Sequence, residues 1–237
     1  MESGVDSEDG VVVQAVPIMQ NDETSTTDTL EQEAEPSTRE ATPSERHPLR
    51  YHWTFFFVKR QPAINLADTY EKNIKKIGGF GTVEEFWAFY NHLVRPNDQL
   101  IACDYHLFKT GIKPMWEDET NRKGGKFAFR VSKKRRLSSK YWEDLLLALV
   151  GDQFGEDGQD ICGIVVSIRN TDDVFSVWTK NAANIEQRGR LAERIKQLLG
   201  LPPNLSLDYK SHDQSIRENS NFQSRVAKSD TVIKAQA

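Results

Sequence analysis

The hydrophobic pattern opens at Tyr51-His52-Trp53-Thr54-Phe55-Phe56-Phe57-Val58, a β-branched and aromatic run of strand length that begins the folded part of the chain. The period then lengthens. Val83, Phe86, Tyr90 and Leu93 recur at helical spacing, with Thr82 and Glu85 ahead of them as a capping-box signature. Over 126–131, Lys126, Ala128 and Arg130 alternate with Phe127, Phe129 and Val131, the period of a half-buried strand with its two cations on one face. Ser139 is the expected cap of a second helix, whose buried stripe is Trp142, Leu145, Leu146 and Leu149; Leu147 falls off that stripe. Residues 161–169 and 174–179 read as a hairpin joined by Asn170-Thr171-Asp172-Asp173. A third helix over 184–199 carries Leu191, Ile195, Leu198 and Leu199 and stops at Gly200, and 205–209 can return as a last strand. Because the strands alternate, the sheet has one wet face. The pattern therefore predicts an α+β domain, with helices on one side of the sheet, a concave face on the other, and ligand contacts from the loops around that face.

No such pattern precedes residue 47. The first 46 residues hold twelve of the chain's 35 Asp and Glu but two of its 31 Lys and Arg, with no aromatic residue, and are expected to form a disordered acidic tail. The predicted organisation is this tail over 1–46, a folded domain over 47–217 and a flexible polar tail over 218–237. A chain of net charge −4 thus hides a remainder with 29 basic and 23 acidic side chains, a balance that suits an anionic partner such as RNA. Cys103 and Cys162 are the only cysteines and lack the spacing of a zinc site or a disulfide scaffold, which points to a reducing compartment. Nowhere do ~18 consecutive apolar residues occur. The expectation is a cytoplasmic protein, with the nucleus as a second location, and no membrane partner.

The candidate chemistry lies in Pro114-Met115-Trp116-Glu117-Asp118-Glu119, which sets an aromatic face beside a carboxylate on an expected loop. Such a pair suits a flat cationic base like an alkylated guanine: the indole quadrupole attracts the ring charge, and Glu117 accepts the N1 and N2 hydrogens. A core tryptophan with a solvated acidic turn would give the same hexapeptide. A metal-dependent nucleotide hydrolase built on Glu117, Asp118 and Glu119 is a poorer reading, because contiguous carboxylates diverge and hydrolysis needs several converging on a metal. None of His47, His52, His92, His106 or His212 stands in a recognisable triad order.

Several separated stretches share the order and spacing of one family: His47-Pro48-Leu49, Thr82-Val83-Glu84-Glu85-Phe86-Trp87, Phe108-Lys109, Gly111-Ile112, Pro114 to Glu119, Gly124-Gly125-Lys126, Ile161-Cys162-Gly163 and Gly200-Leu201-Pro202-Pro203. Over about residues 47–217 the chain resembles the cap-binding translation initiation factor 4E family. The resemblance implies a curved antiparallel sheet backed by three helices, binding the 7-methylguanosine cap of mRNA between two aromatic side chains on the concave side. Here the stacking positions fall on Tyr70 and Trp116. Tyr at the first of them resembles the class II branch of 4E-homologous proteins, which includes the plant novel cap-binding proteins; Ser167 before Arg169, and Arg130, agree with it. Carried over by position, Glu117 would read the guanine edge and Trp178 would lie against the N7 methyl. Arg169 would meet the phosphates, helped by Arg130 and Lys126.

Two departures stand out. Val174 replaces a lysine typical of the family, which implies a weaker phosphate site, and Phe127 replaces a tryptophan. The resemblance implies no enzyme activity, catalytic residue, cofactor or metal, and a monomer. Its partners would be capped mRNA, with 7-methyl-GTP as the ligand analogue, and proteins carrying a Tyr-x4-Leu-apolar helix: initiation scaffolds, 4E-binding proteins or repressors. The docking positions are His47, Pro48, Leu49, Val83, Trp87, Asp144 and Leu147. A domain that kept the fold and partner face but lost selective cap binding is the nearest alternative. The run Lys133-Lys134-Arg135-Arg136 is longer and more basic than this hairpin needs, and reads as a solvated loop, an RNA backbone contact or an import signal.

Overall fold

Alternation along β1 (Pro48–Lys59) sends Leu49, Tyr51, Trp53, Phe55 and Phe57 to one side and Phe56 to the other, so the strand separates two apolar clusters. In the computed structural model, which describes residues 46–60 and 71–218, six further strands extend this start: β2 (Ile74–Thr82), β3 (Cys103–Lys109), β4 (Gly125–Ser132), β5 (Ile161–Ile168), β6 (Asp172–Thr179) and β7 (Asp208–Ser211). They form one sheet in the order β2-β1-β3-β5-β6-β4-β7, every neighbouring pair antiparallel. The described residues all belong to one unit, Ser44–Ala237. The acidic segment before Arg46, Tyr70 and the C-terminal residues after Glu218 lie outside the described residues.

Two of these strands escape the hydrophobic pattern. β2 reads Ile-Lys-Lys-Ile-Gly-Gly-Phe-Gly-Thr, with three glycines and an exposed Lys pair, and is ordered by its ladder with β1. β3 is buried on both sides: Cys103, Tyr105 and Leu107 enter the core under the helices, while Asp104, His106 and Phe108 enter the opposite face. Its polar residues conceal a strand that alternation alone would have shown.

Three helices cover the other face. In α1 (Val83–Tyr90), Thr82 Oγ1 accepts from the Glu85 N–H at 3.2 Å, and the Glu85 carboxylate accepts from Gly81 N at 2.9 Å, one residue earlier than the usual reciprocal partner. The helix ends before the expected Leu93. α2 (Ser138–Val150) starts at Ser138 with no side-chain cap, correcting the expectation for Ser139, whose Oγ instead accepts from the Asn97 N–H at 3.0 Å. α3 (Ile185–Leu199) stops as expected at Gly200, at φ 56°, and its start is capped by Asn184, whose side chain accepts from Gln187 N. The last strand starts later than 205–209, because Leu205 and Leu207 pack against the core instead, and a short helix over 212–218 follows it. Trp142, Leu145, Leu146, Leu191 and Ile195 close the core between helices and sheet.

Candidate functional site

Strand register lays out the uncovered face as rows of side chains, since directly opposed residues point the same way. One row runs Thr54, Phe108, Gly163, Trp178, Lys126, Lys210; the next Phe56, His106, Val165, Ser176, Ala128, Asp208; a third Asp104, Ser167, Val174, Arg130. Phe108, Cys162, Val165 and Trp178 form an apolar floor, with Phe56, Ile112 and Trp116 packed against it. Gly163 makes the floor possible: a Cβ there would stand 2.5 Å from both the Leu107 carbonyl oxygen and the Phe108 ring. Without one, Phe108 and Trp178 meet edge to face, ring centroids 5.4 Å apart.

Trp116 comes to this floor on the loop between β3 and β4, and the loop is built from its own polar residues. Buried Asn121 donates from Nδ2 to the carbonyls of Lys113 and Met115, each at 2.8 Å, and the Asp118 carboxylate accepts from the N–H groups of Lys113 and Thr120, each at 3.0 Å. Asp118 is thereby turned into the loop while Glu117 and Glu119 stay exposed, so the three acidic residues do not converge. Among the described residues no group of His, Cys, Asp and Glu has the arrangement of a metal site. Gly124 closes the loop onto β6, where a Cβ would fall 1.8 Å from the Thr179 carbonyl oxygen. Lys126 Nζ lies 5.8 Å from the Trp116 ring centre and 5.9 Å from that of Trp178, so one cation borders both indoles. Burial, then repulsion from Lys210, lowers its pKa.

Arg169 stands at the end of β5 beyond the third row. Its Nη2 is 2.7 Å from Asp104 Oδ1, its Nη1 donates to the carbonyls of Ile168 at 2.8 Å and Cys103 at 3.1 Å, and Arg60 Nε holds the other Asp104 oxygen at 2.8 Å. Asp104 is 1 % exposed, so two guanidiniums share one buried carboxylate at the rim of the face. His106, in the middle row, has its pKa pulled down to about 4 by burial. The His212 ring lies tilted against Trp178 with ring centroids 4.2 Å apart, and burial, assisted by Lys126, pulls its pKa down to about 3.

The chain that carries this indole and carboxylate on a braced loop, over an aromatic floor edged by cations, has relatives that place it in a family. Residues 48–227 match the family model described as Eukaryotic initiation factor 4E. The chain is 46% identical over 176 residues to eukaryotic translation initiation factor NCBP of Arabidopsis thaliana, covering 74% of this chain and 78% of that one. It belongs to the initiation factor 4E family, on its NCBP-like branch. Two solved relatives have the same fold, each 38% identical in sequence. One is C. elegans eIF4E-3 in complex with the 4E-binding protein Mextli and a cap analog, with a TM-score of 0.67 over 73% of this chain and 96% of that one. The other is Ascaris suum eIF4E-3 with an m2,2,7G cap, at 0.66 over 70% and 92%.

Of the positions named from the 4E family resemblance, the fold gathers Trp116, Trp178 and Lys126, puts Arg130 two rows from Lys126 on the same face, and seats Arg169 on Asp104. Glu117 is exposed beside Trp116, and Tyr70 lies outside the described residues. Sequence reasoning missed Arg60, Asp104, His212 and the loop-building roles of Asp118 and Asn121.

On the helical face, His47 N and Nδ1 both reach the Glu84 carboxylate, the latter at 2.7 Å, and Val83 N donates to the His47 carbonyl at 2.9 Å, which ties His47-Pro48-Leu49 to the first turn of α1. That contact holds the Glu84 carboxyl down to about 2. Trp87 lies edge-on to Tyr90, whose hydroxyl donates to Glu143 on α2 at 2.7 Å. Asp144 and Leu147 follow on that helix, Leu147 half-buried as its off-stripe position predicts. Trp87 and Val83 are 38 % and 37 % exposed, two large apolar side chains one turn apart on the surface of α1.

Proposed function

We propose that this chain binds the 7-methylguanosine cap of mRNA without transforming it, and regulates translation initiation through proteins docked on its helical face. The observation that carries the reading is the braced loop: Asp118 and Asn121 fix Trp116 over the Trp178 floor and leave the adjacent Glu117 carboxylate exposed. In this reading the cationic base stacks on Trp116, with Tyr70 as its second platform. Glu117 accepts the guanine N1 and N2 hydrogens, Trp178 lies against the methyl, and Lys126, Arg130 and Arg169 meet the phosphates. Stacking contributes ~1–3 kcal/mol per base, and a phenol in place of an indole sits at the low end, so affinity is lower than in family members with two tryptophans. Val174, opposite Arg130 and Ser167, removes a further phosphate contact in the same row.

Relatives at 38% identity have been solved with m7G and m2,2,7G caps and with a 4E-binding protein, which supports both halves of the reading. A helix with the Tyr-x4-Leu-apolar pattern would lay its apolar side on Val83, Trp87 and Leu147, next to His47-Pro48-Leu49, with Asp144 at the border. Retention on immobilised 7-methyl-GTP tests the cap half: the native chain stays bound and is released by free 7-methyl-GTP but not GTP, while Glu117→Ala and Trp116→Ala flow through. Equal release by both nucleotides would show that the methylated base is not what is read.

A further inference from the structure

The basic run at 133–136 finds no place in the reading above, and the fold divides it. Lys133 Nζ sits 3.8 Å from buried Asp173, and Arg136, in left-handed backbone at φ 51°, places Nη2 3.8 Å from Asp98 while its carbonyl accepts from Asn97 Nδ2 at 2.8 Å. Arg135 has no ion-pair partner among the described residues. It lines a cavity of about 290 Å³ at the sheet edge, together with Arg130, Leu137, Tyr141, Asp172 and Leu205. β7 pairs with β4 only from Gly125 to Ala128, so from Phe129 to Ser132 that edge of β4 has no neighbouring strand among the described residues. Arg130 belongs to the third row of the uncovered face and also lines this cavity, so one residue borders both.

Chemistry narrows the occupant. The lining holds two arginines and one aspartate, an excess of positive charge suited to phosphodiester oxygens, and Leu137, Leu205 and Tyr141 give it an apolar part for a sugar or base. The volume is at the bottom of the ~300–1,000 Å³ range of small-molecule sites, enough for about one nucleoside unit. We propose that this cavity receives the RNA chain directly 3′ of the cap, with Arg135 on the first phosphodiester, Arg130 between it and the cap phosphates, and one nucleoside on the apolar wall. The inference rests on the cap-binding reading, since the cap sets where the RNA enters.

The test compares 7-methyl-GTP with a capped five-nucleotide RNA on the full chain, by fluorescence anisotropy or calorimetry across a salt series, for the native protein, Arg135→Ala and Lys134→Ala. Lys134 is an exposed cation of the same run that does not line the cavity. The expected result is about a tenfold loss of capped-RNA affinity in Arg135→Ala alone, a salt slope shallower by ~0.7 for one lost single-strand phosphate contact, and unchanged 7-methyl-GTP affinity in both variants. Undiminished capped-RNA binding in Arg135→Ala, or the same loss in Lys134→Ala, overturns the proposal while leaving cap binding intact. A native chain that fails to bind 7-methyl-GTP overturns both, and is read directly from the first titration.

Discussion

Asp104 is the residue on which the rim of the uncovered face depends. It is buried, and its two oxygens hold Arg60 and Arg169, each about a third exposed. Removing it leaves two partly buried cations facing each other, so Asp104→Ala is expected to cost ~2–4 kcal/mol in urea denaturation and to weaken 7-methyl-GTP binding by freeing Arg169. Buried His106 and His212 give the molecule a pH dependence of definite sign. Unfolded, each takes up its proton near pH 6.5; folded, they refuse it down to about 4 and about 3. The unfolded state thus binds more protons below 6.5, and this contribution is fully present above that pH and is lost as pH falls through the folded values. The urea midpoint is expected to drop between pH 7.5 and 5, and His106→Gln to flatten the drop; an unchanged midpoint would contradict the burial of both rings. Trp116 could be named from its own hexapeptide, and Lys126 and Trp178 from the family resemblance of the segments that hold them. The Arg60–Asp104–Arg169 contact joins three separated segments, and no short pattern marks it.

Among the elements, the loop from β3 to β4 is the most tightly specified, and Gly124 is its narrowest point. A methyl group there meets the Thr179 carbonyl, which belongs to a central ladder and has little room to move. Gly124→Ala should cost ~1–3 kcal/mol as an overpacking change, seen as a lower Tm, and should reduce retention on 7-methyl-GTP because the loop is displaced with it. A variant with native Tm and full retention would show that the loop tolerates the shift. Helix α3 was legible because Asn184, Gly200 and the apolar stripe agree. Ser139 misled because its hydroxyl serves Asn97 in another segment, and β2 and β3 were hidden by glycines in one and by Asp104 and His106 in the other. In each case a tertiary partner supplies what the local sequence lacks.

At the scale of the whole molecule, the sheet separates two surfaces: the aromatic floor and its cations on one side, and Trp87, Val83 and Leu147 with the His47-Pro48-Leu49 segment on the other. Their separation predicts independence. Trp87→Ala should lower affinity for a Tyr-x4-Leu-apolar peptide by ~2 kcal/mol or more, as loss of a half-exposed aromatic anchor, without changing 7-methyl-GTP affinity; equal losses at both sites would contradict that division. The most direct test of the central claim is a tryptophan fluorescence titration with 7-methyl-GTP and with GTP, on the native chain and on Glu117→Ala. The account predicts saturable quenching by the methylated nucleotide alone, abolished in the variant. Quenching by both nucleotides alike, or by neither, would contradict it.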